Sequence, residues 1–159
     1  MNIVKADDVA QYFINYSVKD EAEGFISNIK LQKLLFLSQG FHLAIFSSRL
    51  FNEYFYPWIL GPAIPDLFNK YNRYDNGIIT NIEYISYDKF SKRQALFLDH
   101  IWSQFGQYAA WKLTDLFNEN SAYRRFYHMD MPITMDFMLK YFKKEEELFG
   151  MDFELYRNN

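Results

Sequence analysis

The chain has no cysteine, only three histidines, six glycines and four prolines, and no apolar run of membrane-spanning length. Without thiols, disulfides, cysteine-based zinc sites and thiol nucleophiles are all excluded. The histidines, His42, His100 and His128, fall in neither an HExxH nor a Cys/His zinc spacing. His42 therefore reads as an imidazole packed near the core, because one imidazole without neighbouring ligands binds metal poorly. Asp99 and His100 are adjacent and diverge by about 100° on a helix, so they form no oriented acid–base pair. No glycine-rich phosphate loop is present. Gly61-Pro62 opens a helix, but Pro62 and Pro65 lack the N–H groups that an anion site uses. Positive charge is not in excess either: 17 Lys and Arg face 20 Asp and Glu, a net charge of −3. That balance argues against duplex binding. The N-terminal MNIVKADDVAQYF meets acidic residues at once and does not read as a signal peptide. The expectation is a soluble cytoplasmic protein that is not an enzyme, with no cofactor, no metal and no membrane partner.

What is present is apolar and aromatic. Half of the 159 residues are apolar and 21% are aromatic, enough for one core. Abundant Ile, Asn, Lys, Tyr and Phe also mark an AT-rich coding sequence, so the aromatic total alone identifies no surface. A first helix starts near Asp7, with Val9, Phe13 and Tyr16 on one face. Residues 17 to 26 lose the pattern and read as a loop. Ser27 caps a second helix, in which Leu31, Leu34, Leu35, Phe41 and Ile45 recur at helical spacing. Phe36 and Leu37 widen its stripe, so it is expected to be central. Gly40 lies mid-helix at a cost of about 1 kcal/mol, which predicts close approach of another backbone.

Residues 50 to 60 favour an extended conformation, broken by Gly61-Pro62, and a helix beginning at Pro62 or Pro65 runs to about Tyr74. Asp75-Asn76-Gly77 is a turn. Residues 78 to 87 alternate and predict a strand pairing with residues 53 to 58. Ser91 caps a helix with Ala95, Leu98, Ile101, Trp102 and Phe105 on one face, ended by Gly106. Another runs from Gln107 to about Glu119, with Ala110, Leu113, Leu116 and Phe117 inward. A short piece covers Ser121 to His128. A last helix spans about 134–149, apolar at Phe137, Met138, Tyr141, Phe142 and Leu148, with Gly150 after it. The charges from Lys143 to Glu147 are consecutive, diverge on a helix and form a solvated face. The expected fold is mainly α: a single domain, residues 1–159, of about six helices with a small two- or three-stranded antiparallel β ribbon.

The most particular stretch is residues 29 to 65, IKLQKLLFLSQGFHLAIFSSRLFNEYFYPWILGPAIP. Lys30 and Lys33 sit in the first two turns of the second helix, where the dipole disfavours cations by about 0.3–1 kcal/mol. They pair with acidic groups elsewhere in the fold, face a partner, or stand solvated. The candidate partner-binding residues are Lys30, Gln32, Lys33, Arg49, Glu53, Tyr54, Tyr56 and Trp58, since Trp, Tyr and Arg favour hot spots. Core packing is the competing role for Trp58. Ser27, Gly40, Gly61, Pro62 and Pro65 are architectural. Were the chain an enzyme, a cluster of His42, Lys33, Gln32 and Glu53 beside Trp58 would be the place for its site.

This pattern resembles the SocA-like Panacea domain, also called the GepA-like phage-associated domain. The resemblance rests on Ser27, the string Lys30-Leu31-Gln32-Lys33-Leu34-Leu35-Phe36, Gln39-Gly40, Leu50-Phe51, Glu53, Trp58 and Gly61-Pro62-Ala63 with Pro65. It continues through Leu98, Phe105-Gly106 and Leu113-Thr114, covering residues 7 to 123. The chain departs from the family where Thr-His and Pro-Trp are common: Phe117, Asn118, Ala122 and Tyr123 stand there, so no role of that histidine carries over. The resemblance implies an antitoxin domain that neutralises a protein toxin encoded by a neighbouring gene, by direct contact. Delivery of the toxin to a AAA+ protease is the alternative. A DNA-binding regulator is a weaker one, as no helix is basic along one face.

Overall fold

The computed structural model describes residues 2–19, 25–80, 82–118, 130–145 and 156, without the side chains of 116–118 and 145. Among these residues there are six α-helices and one two-stranded antiparallel ribbon, so the fold is mainly α. The elements are α1 (Ala6–Lys19), α2 (Asn28–Phe46), β1 (Tyr56–Trp58), β2 (Gly61–Ala63), α3 (Pro65–Tyr71), α4 (Lys92–Phe105), α5 (Ala110–Asn118) and α6 (Met135–Glu145). No helix is long and apolar enough to cross a membrane. The expected helix at 121–128, Leu148 and Gly150 lie outside the described residues, as do the side chains of Leu116 and Phe117.

Helix α2 is the centre, with 16 of its 19 residues buried. Its apolar residues surround the axis rather than forming one stripe, and α1, α3, α4, α5, α6 and β2 all pack on it. Ser27 caps it, its Oγ accepting from Lys30 N at 3.3 Å. Phe36 and Phe41 carry the core outward. Phe36 meets Phe55 and Phe142 edge-on, and Phe41 meets Phe142 at 4.9 Å. Helix α4 begins with a full capping box between Ser91 and Gln94. Its Trp102 stacks on Phe13 of α1 at 6.2 Å.

Three expectations are corrected. Helix α1 extends through Ser17 to Lys19, because the buried Ser17 hydroxyl donates to Ile14 O at 2.8 Å. Close approach at Gly40 does occur, but to a ring: a Cβ there would overlap Phe142 of α6. The β ribbon has another partner. β1 pairs with β2 across Ile59-Leu60, in the register Tyr56↔Ala63, Pro57↔Pro62 and Trp58↔Gly61. Gly61-Pro62 thus lies inside the ribbon, and the helix starts only at Pro65. Residues 78–87, with 81 outside the described residues, supply one bridge, Ile78 to Ser27, and no ladder. The amide of Glu83 goes instead to Gln11 Oε1 of α1 at 2.9 Å. The opposed Pro57 and Pro62 cannot donate to a further strand, which stops the ribbon at two.

Candidate functional site

Most polar residues of α2 are buried, and Gln32, Gln39 and His42 tie neighbouring segments to the helix. Gln39 is fully buried; its Oε1 accepts from Leu50 N at 2.9 Å and Phe51 N at 3.3 Å, and its Nε2 donates to Phe51 O at 2.7 Å. Gln32 Oε1 accepts from Ile64 N at 2.9 Å, and its Nε2 donates to Asn28 Oδ1. His42 Nδ1 contacts Ser48 O at 2.7 Å. A carbonyl can only accept, so that nitrogen carries the proton. Burial pushes the His42 pKa down to about 4, so the ring is neutral and structural. These bonds satisfy backbone groups at Ser48, Leu50, Phe51 and Ile64, outside the ribbon, which no ladder serves.

Lys30 and Lys33 do the same and are not solvated. Lys30 is 4% exposed, donates to Gly106 O and lies 5.6 Å from the Trp102 ring. Its charge thus sits at the carbonyl end of α4, where the dipole favours a cation, offsetting the penalty at the start of α2. Lys33 is 1% exposed and donates to Leu60 O in the hairpin turn. Gly61 makes room: a Cβ there would overlap the Lys33 ammonium. Both lysines are buried, with their polar ends bonded to backbone carbonyls of the fold.

The surface above Lys33 is a hollow of about 520 Å³, lined by α2, the hairpin and α3. Ile29, Gln32, Lys33, Tyr56 and Trp58 form much of its wall, with Asp130 at the rim. The hairpin tip beside it is apolar and open: Ile59 is 86% and Leu60 55% exposed. Trp58 is half in and half out, its ring edge-on to Phe68 at 5.1 Å. A second hollow of about 410 Å³ shares Ile29 and Leu60 and reaches Trp111 of α5, which is 69% exposed. Adjoining apolar exposure of this kind marks interaction sites more often than bare surface.

Of the other expected site residues, Tyr56 and Trp58 line the first hollow with Gln32 and Lys33. Arg49 and Tyr54 are exposed as a separate pair, the guanidinium 6.0 Å from the ring. Glu53 accepts from Ala6 N at 3.0 Å at the start of α1, a capping role. His42 and Glu53 do not line the hollow, so the suggested four-residue cluster does not assemble there. The side chains of Phe117 and Asn118, and all of Ala122 and Tyr123, lie outside the described residues. Sequence reasoning missed Ile59, Leu60 and Trp111. The signal was present for the first two: a two-residue turn ordinarily takes Gly, Asn or Asp, and apolar residues there have no folding reason.

Burial lowers the Lys33 pKa to about 7. A basic group whose folded pKa lies below its unfolded value of 10.5 destabilises the fold as pH falls from the upper value to the lower. Stability is therefore expected to rise from pH 7 to 9, by on the order of 1 kcal/mol per pH unit. Higher pH is excluded from the window because Tyr12 and Tyr71, raised chiefly by burial, favour unfolding once the unfolded tyrosines ionise. Urea unfolding at both pH values checks this, and Lys33→Met should flatten the dependence. An unchanged slope in that variant would assign the effect to other groups.

The family model described as Antitoxin SocA-like, Panacea domain, matches residues 31–122. No curated protein and no solved structure matches the chain.

Proposed function

Since the chain belongs to the SocA-like Panacea antitoxin family, we propose that it neutralises a protein toxin encoded by a neighbouring gene, by direct contact in the cytoplasm. The observation that carries this is the apolar hairpin tip, Trp58 to Leu60, beside a hollow whose lining includes Gln32, Lys33, Gly61 and Ala63, all within the matched residues 31–122. A tip of this composition gains from leaving water, and bond-making chemistry would not require it. Tyr54, Tyr56, Trp58 and Arg49 remain candidate contacts on the same segment. Lys30, Gln32 and Lys33 act one step back, by holding the hairpin and its neighbours in place.

The test is co-expression with the adjacent open reading frame. That frame alone should arrest growth, and this protein should restore it. A harmless neighbour, or arrest that co-expression does not relieve, overturns the reading. Charging the tip with Ile59→Asp and Leu60→Asp should cost about 2–4 kcal/mol of binding, the size of a hot-spot truncation. That corresponds to a loss of about 30- to 1,000-fold in affinity, read by titration calorimetry against the purified neighbour. The variant should keep the wild-type circular dichroism, because both positions are exposed.

A further inference from the structure

The two hollows adjoin on either side of Leu60, with Ile29 common to both floors. Each is lined mainly by apolar atoms, and together they offer two neighbouring seats rather than one deep pocket. Among the described residues, the exposed charged groups that line them have one sign. Asp130 borders the first and Asp115 the second, and both are exposed. Lys33, the one cationic side chain lining either hollow among the described residues, is 1% exposed and occupied with Leu60 O. Lys112, next to Trp111, lies 4.4 Å from the Tyr108 ring and lines neither hollow. We infer that this face receives two apolar side chains from one side of an amphipathic, positively charged segment of the protein partner, whose lysines or arginines lie against Asp115 and Asp130.

The reasons are steric and electrostatic. Paired seats on either side of one residue suit apolar anchors spaced on one face of a helix, as in helix-in-groove recognition. Carboxylates at the rim, where water remains, select the sign of the approaching segment and speed its arrival. An acidic segment would meet like charge at both ends. The inference rests on the proposed antitoxin role for the partner's identity, and it adds what part of that partner is held.

Overlapping peptides covering the protein encoded beside this chain, probed with the full-length chain, test it. The bound peptides should be net positive and carry two apolar residues three or four positions apart. Their binding should weaken at least about tenfold in Leu60→Asp and in Trp111→Ala, the loss expected of a buried anchor. The pair Asp115→Asn with Asp130→Asn should weaken it and remove most of its salt dependence. Bound peptides that are acidic or uncharged, or equal binding by folded Leu60→Asp, would overturn the inference. So would an array with no bound peptide, or a concentration-dependent dimer of this chain that Leu60→Asp abolishes, which would seat a second copy on the face. Growth rescue by the wild type separates the two levels: if rescue persists while the peptide result fails, the antitoxin reading stands and the seat is elsewhere.

Discussion

Gly40→Ala is expected to destabilise the protein by about 2–3 kcal/mol, the range of an overpacked core. Helix propensity alone predicts the opposite sign, a gain of about 1 kcal/mol for alanine over glycine. Packing wins because the new methyl would overlap the Phe142 ring. That ring cannot swing aside freely, since Phe36, Phe41 and Tyr141 already hold it. Helix α6 must then move off α2, and much of the aromatic core with it. Chemical denaturation of the variant reads the loss. The double variant Gly40→Ala with Phe142→Leu distinguishes sterics from any other cause. It should be more stable than the sum of the single effects requires, because the smaller side chain removes the overlap. Additive losses, or a stabilised Gly40→Ala, would show that α6 does not pack as described.

The second large effect is expected at Gly61. Its φ of +102° is a conformation that side chains adopt only with strain, and the same missing Cβ leaves space for Lys33. Gly61→Ala therefore meets two penalties. The backbone cost is about 1–2 kcal/mol. Pushing the Lys33 amine off Leu60 O leaves a buried polar group unpaired, about 1–3 kcal/mol more. The sum is about 3 kcal/mol of stability, and the hairpin tip loses its fixed position. Partner binding should fall further than stability does. Lys33→Met in the same chain should recover part of the stability, because the thioether needs no carbonyl, but should not restore the turn. A Gly61→Ala protein with wild-type stability and binding would show that the hairpin needs neither the glycine nor its lysine neighbour.

These two glycines show how far the sequence could be read. Both read as architectural from the sequence, and Gly40 predicts close approach of another backbone, where the structure brings the Phe142 ring. That ring's arrival depends on α6 returning across α2 from about 100 residues away in sequence, which no local pattern encodes. The lysines are the sharper case. At Lys30 and Lys33 the sequence exposed a conflict with the helix dipole, and the conflict was real. Its resolution at Gly106 O and Leu60 O required knowing which loops come to the helix. The ribbon went astray for a related reason. Residues 78–87 alternate and residues 61–63, Gly-Pro-Ala and all buried, do not, so periodicity pointed away from the actual partner of β1. The tight Ile59-Leu60 turn and Gly61 chose it.

By itself, then, the sequence determined the helical class, the caps at Ser27 and Ser91, the central place of α2 and the family. Each of these is local, set by spacing, capping chemistry or a contiguous motif. Tertiary structure decided which side of the motif faces inward, which backbone groups its polar residues satisfy, and that an apolar tip stands exposed over a hollow. Those features arise where segments distant in sequence meet. They depend on the burial and hydrogen-bond demands of the assembled chain, which no single stretch carries alone.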